Sequence, residues 1–253
     1  MARSGQFYSG PFCLWLQLDK WTGMTGIRKF FDNADVGTSF EDLWASGGVL
    51  SQLTSAETLN IASNSTEDDV GQTGATEIYI EGVDGSYATV SETVTMDGTS
   101  NVLTSNSYLR VQRMRVTGAS TAETNVGHIT ATASTAATVQ GCIAPGDGQS
   151  TKSQYTVPAG YTGIITDVWI SASKGDNAQA DLQVKPFGEA WQLKSRLYLY
   201  ESQTEHSFDA GVGILIPEKS DIRIQAKALS GGTSALAGSY SIILIDNTEY
   251  ELS

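Results

Sequence analysis

Residues Thr73–Met96, TGATEIYIEGVDGSYATVSETVTM, decide the fold class of this chain. In the first half, Ile78 and Ile80 alternate with Glu and Tyr, which is the period-two pattern of a half-buried β-strand. The segment Gly82–Gly85 then supplies residues that tolerate a tight turn. The returning half carries apolar residues at even spacing, at Val90, Val94 and Met96. The stretch predicts a β-hairpin that forms part of a packed sheet.

Short apolar segments separated by turn residues recur along the whole chain, about every 8–12 residues, and this spacing is typical of β-sandwiches and jelly rolls. The best helical signal is a short turn near Phe40–Trp44. Pro, Gly and Asp are concentrated in Ala144–Ser150 (APGDGQS), which predicts an exposed domain boundary that few contacts cross. We therefore predict an all-β protein with two tandem antiparallel β-sandwich domains of jelly-roll type, at 36–144 and 151–253, preceded by an extended N-terminal arm at 1–35.

Residues 1–35 differ from the rest of the chain because they are rich in aromatic side chains and locally basic. Aromatic residues are favoured as interface anchors because each buries a large area at a low entropic cost. We predict that the arm contacts a sister subunit or another protein; the alternative is that it packs on its own domain. The candidate interaction residues are Phe7, Tyr8, Phe12, Trp15, Trp21, Phe30 and Phe31.

The composition and net charge limit the classes of partner that the protein is expected to bind. Of its 253 residues 40% are hydrophobic and only 17% are charged, and the formal net charge is −13. An acidic surface repels phosphate backbones and anionic lipids, so we expect no direct binding to nucleic acid or to membranes. The apolar run Phe12–Leu18 is too short for a membrane span and lacks the pattern of a cleaved signal peptide.

No pattern of catalytic residues stands out. His128 and His206 have no second ligand at metal-binding spacing, and no nucleotide-binding or nucleophile motif has the required setting. The acidic run Glu67–Asp69 matches no calcium loop and is interpreted as a solvated turn. We predict that the protein is not an enzyme and has no cofactor or metal site.

Three further groups of residues leave alternatives open. Cys13 and Cys142 are interpreted as two small buried residues, with a disulfide as the alternative. The arginines of the segment Tyr108–Val116 are expected to face acidic neighbouring strands, with a basic binding strip as the alternative. A sugar-stacking platform is the alternative to ordinary packing for four aromatic residues, Trp169, Trp191, Tyr198 and Tyr200.

Six segments of the chain are distinctive as a set: Thr73–Ser100, Ser107–Val116 (SYLRVQRMRV), Tyr155–Gly163 (YTVPAGYTG), Val184–Gly188 (VKPFG), Ile216–Ile224 (IPEKSDIRI) and Ile27–Trp44 (IRKFFDNADVGTSFEDLW). Together they resemble a family of virion structural proteins of tailed phages, frequent among aquatic phages. These segments are turn and strand signatures, and none is catalytic. The resemblance implies a β-rich accessory protein of the capsid or tail.

The resulting hypothesis is a non-enzymatic structural protein on the exterior of a phage particle, of the capsid decoration, cement or head-fibre type. It would attach through the N-terminal arm to the major capsid protein or another virion protein, and it would form homotrimers, since cement proteins commonly act as symmetric oligomers. The alternative is a tail or tail-fibre component that binds a receptor or carbohydrate. A tail-spike-like hydrolase is a third possibility with almost no support in the sequence.

Overall fold

The computed structural model describes residues 16, 21–173, 176–200, 203–207, 213–229 and 231–249; of the strand at 203–207 only the backbone is described. Among these residues, every secondary structure element of two or more residues is a β-strand, and every strand pairing is antiparallel. The all-β prediction is confirmed. In place of the helical turn expected near Phe40–Trp44, the chain forms a short strand at Glu41–Asp42.

Two sheets enclose one core, and we call this unit the first body. One sheet has the order β6-β3-β8-β9 and the other the order β5-β4-β7. The strands are β3 (Leu59–Ser63), β4 (Ala75–Val83), β5 (Thr89–Thr95), β6 (Val102–Leu103), β7 (Arg110–Ala119), β8 (Ile129–Ala133) and β9 (Val139–Ile143). The buried residues between the sheets include Ile61, Ile78, Ile80 and Met114.

The other two sheets enclose a second core, and we call this unit the second body. One sheet has the order β1-β17-β11-β14 with β15 beside β11, and the other has the order β10-β16-β12-β13 with β2 beside β16. The strands are β1 (Met24–Val36), β2 (Glu41–Asp42), β10 (Tyr155–Thr156), β11 (Tyr161–Ala172), β12 (Asn177–Lys185), β13 (Gln192–Tyr200), β14 (Gln203–Ser207), β15 (Ile214–Ile216), β16 (Asp221–Ala228) and β17 (Ser234–Asp246).

The predicted hairpin is confirmed. Strands β4 and β5 pair from Glu77↔Thr95 to Val83↔Thr89, and Ile78 and Ile80 are fully buried. The positive φ of the connection falls on Tyr87 (φ 65°) rather than on a glycine. Gly82 has another role, because a Cβ there would lie 2.1 Å from the carbonyl oxygen of Arg110 on β7. The glycine therefore permits the close approach of β4 and β7.

The two bodies are not arranged in tandem along the sequence. Strand β1 pairs with β17 along most of its length, from Met24↔Ile245 to Val36↔Ser234. The chain therefore starts the second body, builds the first, and returns to complete the second. Residues 24–35 are part of a sheet rather than an extended arm, and the sheets of three to five strands do not reproduce the predicted pair of jelly rolls.

The segment Ala144–Ser150 joins the bodies, and Pro145, Gly146 and Asp147 are exposed as its composition suggested, but the end of the segment is bound to the first body. Gly148 donates its backbone N–H to Asn125 Oδ1, and its carbonyl accepts from Val116 N. Ser150 exchanges backbone and hydroxyl hydrogen bonds with Met114 on β7. The segment therefore packs along the edge of the first body.

Candidate functional site

The junction between the two bodies contains two buried lysines. Lys29 on β1 is 7% exposed and donates from Nζ to the carbonyl oxygen of Gln112. Lys152 is 3% exposed and donates to the carbonyl oxygens of Val111 (2.9 Å) and Gln140 (2.6 Å). Lys29 therefore connects a strand of the second body to the backbone of the first body, and Lys152 connects the segment that leads into β10 to the same body.

No carboxylate lies within ion-pairing distance of either ammonium group among the described residues. Burial lowers the pKa of Lys29 to about 7, and the nearby positive charge of Lys152 contributes. Burial likewise lowers the pKa of Lys152 to about 8. Burying an ammonium group without a counter-charge costs free energy, so burial favours the neutral amine. Both lysines therefore titrate near neutral pH in the folded protein.

A buried ion pair lies at one end of the same junction. Arg110, at the start of β7, binds both carboxylate oxygens of Asp221, at the start of β16, with two contacts of 3.1 Å. Asp221 also accepts a hydrogen bond from Thr156 Oγ1 at 2.6 Å. A bidentate pair of this kind fixes the angle between guanidinium and carboxylate as well as their distance. The pair therefore orients the two bodies relative to each other.

An open cleft of about 290 Å³ lies beside this ion pair. The first body contributes Tyr87 from the β4–β5 turn and Arg110, and the second body contributes Lys185, Phe187, Lys219 and Asp221. The rings of Tyr87 and Phe187 meet edge to face with centroids 5.5 Å apart. We call this feature the junction cleft, and its residues come from four separate parts of the chain.

A smaller cleft of about 120 Å³ opens further along the junction. Arg223 stacks on the Trp191 ring, with its guanidinium carbon 4.0 Å from the centroid. Asp42 accepts a hydrogen bond from Leu50 N through Oδ2, whereas its Oδ1 is buried without a hydrogen-bond partner. Burial raises the pKa of Asp42, and the nearby Arg223 charge opposes that shift.

The predicted interaction residues fall into three groups. Phe7, Tyr8, Phe12 and Trp15 lie outside the described residues. Trp21 is half-buried. Phe30 is 49% exposed, and the Arg28 guanidinium carbon lies 5.6 Å from its ring centroid. Phe31 is 2% exposed and packs in the second core against Tyr240. Phe31 is therefore a core residue and not an interaction residue, since side chains on a strand alternate between its two faces.

The acidic segment 67–69 lies at a turn, as predicted, but only Glu67 and Asp69 are partly exposed and Asp68 has a structural role. Asp68 is fully buried and its carboxylate accepts four hydrogen bonds, from Ser63 Oγ and from the backbone N–H groups of Ala75, Val126 and Gly127. These bonds occupy the acceptor positions that a cation would use. Within the described ranges, no three His, Cys, Asp or Glu side chains come together as a possible metal site. His128 directly precedes β8 of the first body, whereas His206 lies on β14 of the second body.

The structure shows the partners of the β7 arginines and the state of one of the two cysteines. The arginines of β7 have three different partners: Arg110 binds Asp221, Arg113 donates to Gln149 and Arg115 stacks on Tyr79. Cys142 carries a free, buried thiol whose pKa is raised to about 11 by burial, while Cys13 lies outside the described residues.

The four aromatic residues do not form one platform. Tyr198 and Tyr200 are exposed on the outer face of β13 and stack with centroids 6.5 Å apart. In the described part of the chain, neither Trp169 nor Trp191 makes a ring contact with them.

The comparisons with known proteins identify no family. No protein-family profile matches the chain, and neither does any curated protein. A mitogen derived from Yersinia pseudotuberculosis is 17% identical over 36% of this chain and 82% of that chain, with a TM-score of 0.19. The structure of the Gx strain of infectious bursal disease virus is 10% identical over 90% of this chain and 73% of that chain, with a TM-score of 0.24. The VP2 subviral particle of that virus has the same identity and coverage and a TM-score of 0.20. Likenesses this weak carry no argument about function.

Among the described residues, no helix is long and apolar enough to cross a membrane.

Proposed function

We propose that this chain is a non-enzymatic structural protein on the exterior of a tailed-phage particle, of the capsid decoration, cement or head-fibre type. The observation that carries the proposal is the position of β1 at the end of its sheet, directly after the aromatic N-terminal segment. The chain therefore enters the second body through the end strand of a sheet. The resemblance of the strand and turn segments to virion proteins of tailed phages supports a phage particle as the setting.

The body has the construction that an external structural protein needs. Two cores are joined through buried lysines and a buried ion pair rather than through a flexible linker. Only 17% of the residues are charged. A surface of this kind is suited to association with other protein subunits, and we propose a homotrimer that binds the major capsid protein or another virion protein.

Removal of residues 1–15 is expected to abolish attachment without unfolding the body. The deletion removes Phe7, Tyr8, Phe12 and Trp15 and leaves Leu16, whose side chain covers Gly26 of β1. A larger deletion reaching Phe31 would remove much of β1 and expose the second core, so it would not test attachment. Attachment is measured as the copy number of the protein on purified particles, by quantitative mass spectrometry.

The control for this experiment is the far-ultraviolet circular dichroism and the unfolding midpoint of the truncated protein, which are expected to match those of the full chain. Incorporation of the truncated protein at full copy number would contradict the proposal. Cryo-electron microscopy of intact particles gives a second test, since density on the outer shell is expected and density confined to the tail is not.

The stacked pair Tyr198 and Tyr200 favours one second candidate, a tail component that binds a receptor or carbohydrate. The two residues are 50% and 63% exposed, and an exposed aromatic ring offers an apolar face together with a polar hydroxyl. Density for the protein at the tail or its fibres, together with loss of cell adsorption in the variant Tyr198→Ala/Tyr200→Ala, would favour this candidate over the first.

A further inference from the structure

We propose that the junction cleft binds a single sugar residue that carries a carboxylate, such as a uronic acid at the end of a glycan. This inference does not rest on the proposed function, because it uses only the geometry and charge of the cleft. The volume of about 290 Å³ lies near the lower end of the range of ligand pockets, which is roughly 300–1,000 Å³. The cleft is therefore large enough for one small ring but not for a folded segment of a partner protein.

The charge of the cleft favours an anionic ligand. Within the described structure, the Nζ groups of Lys185 and Lys219 make no hydrogen bond or ion pair. Lys219 Nζ lies 5.8 Å from the centroid of the Phe187 ring, within cation–π distance, so the charge and the aromatic ring adjoin each other. The charges of Arg110 and Asp221 neutralise each other, and Glu189 accepts a hydrogen bond from Gln192 Nε2 at 2.7 Å. Two lysines against one unpaired acid give a local excess of positive charge in a chain whose net charge is −13. A carboxylate between the two ammonium groups would neutralise this excess.

The aromatic residues of the cleft favour a ring with an apolar face. Phe187 is 62% exposed, although a Phe side chain normally gains free energy from burial. The electron-rich face of an aromatic ring attracts the weakly positive C–H groups along one side of a pyranose. An acidic peptide offers carboxylates and flexible methylene groups, whereas an acidic sugar holds a carboxylate and a rigid C–H face in one ring, so the sugar fits both features of the cleft better.

The backbone of the cleft is held in an uncommon conformation on both sides. Tyr87 has φ 65° and Lys219 has φ 60°, and both values lie in the left-handed region that non-glycine residues seldom adopt. Hydrogen bonds hold each residue there: Ala159 N donates to the Tyr87 carbonyl, and Lys219 N donates to the Val157 carbonyl. Residues in such conformations cluster at ligand sites because the surrounding structure fixes them in advance.

The test is a titration of the full chain with glucuronate, in which binding is measured by NMR chemical-shift changes. Glucose and a diglutamate peptide are titrated in the same way as matched ligands. Glucuronate is expected to shift the resonances of Tyr87, Phe187 and Lys219, and glucose to bind at least about fivefold more weakly because it lacks the charge. Binding of glucuronate is expected to weaken as salt is added.

The variants Lys185→Gln, Lys219→Gln and Phe187→Ala are each expected to weaken glucuronate binding about fivefold or more. The matched control for Phe187→Ala is Leu215→Ala, which alters an exposed apolar residue outside the cleft, and uncharged glucose is the control for the two lysine variants. The absence of saturable shifts in the unaltered protein would overturn the proposal. Equal affinity for glucose would overturn the role of the lysines, and equal affinity for diglutamate would overturn the sugar in favour of an acidic peptide.

Discussion

The free energy of unfolding is expected to rise by about 3 kcal/mol between about pH 7 and about pH 9, because two buried lysines bind fewer protons in the folded protein than in the unfolded chain. The pKa values of Lys29 and Lys152 fall from 10.5 to about 7 and about 8 on folding. Across this interval the unfolded chain keeps both protons while the folded protein loses them. Stability increases with pH wherever the unfolded state binds more protons, so the sign of the effect is positive.

Other groups limit the interval in which the rise is visible. Burial raises the pKa of Cys142 from 9.0 to about 11, and it also raises the pKa of Tyr155 and Tyr240. These acids ionise more readily in the unfolded chain, so they remove stability as the pH rises above about 9. A maximum of stability is therefore expected near or somewhat above that pH. Most proteins are instead most stable between about pH 5 and 8.

The effect is measured by urea unfolding at a series of pH values, with fluorescence as the probe. The slope m of the unfolding free energy against urea concentration should stay constant, so that a shift of the midpoint reports a change in stability. In Lys29→Met the rise between about pH 7 and about pH 9 is expected to fall by roughly half or more. In Lys194→Met, which alters an exposed lysine of β13, the full rise is expected. A flat or falling profile in the unaltered protein would contradict the buried positions of Lys29 and Lys152.

The sequence was sufficient to predict the local β-structure but not the way in which the segments combine. The hairpin formed by β4 and β5 was predictable because its alternation and its pairing are both local. The pairing of β1 with β17 joins residues about two hundred positions apart, and no local pattern specifies that partner. For the same reason the basic and aromatic residues around Lys29 and Phe31 were interpreted as one arm.

The candidate sites were missed for a related reason. The junction cleft collects Tyr87, Arg110, Lys185, Phe187 and Lys219 from loops and strand ends that no sequence motif links. Lys152 follows a Pro- and Gly-rich segment, a position that normally indicates exposure. The signal that was available is the pattern around Phe31. Along Phe30-Phe31-Asp32-Asn33 the side chains are alternately more exposed and buried, as on any strand that covers a core. A strand prediction for this segment would therefore have placed one of the two adjacent phenylalanines in the core.

Replacement of Phe31 by Ala is expected to destabilise the protein by about 3–5 kcal/mol, whereas replacement of the adjacent Phe30 is expected to change stability by less than about 1 kcal/mol. The Phe31 ring fills the second core, with its centroid 6.3 Å from that of Tyr240 and its edge against the bare backbone of Gly238. Since these neighbours belong to a rigid sheet, the site has little freedom to collapse around a smaller side chain. The Phe30 ring lies on the opposite face of β1 and contacts the Arg28 guanidinium in solvent.

Chemical unfolding of the two single variants measures both effects under identical conditions, and each variant is the control for the other. If instead Phe30→Ala lost as much stability as Phe31→Ala, the assignment of the two faces of β1 would be wrong. The same pair separates folding from attachment on particles. If Phe30→Ala keeps its stability but no longer binds the particle, the proposed attachment surface extends onto β1. If the variant binds fully, that surface is confined to the residues before the strand.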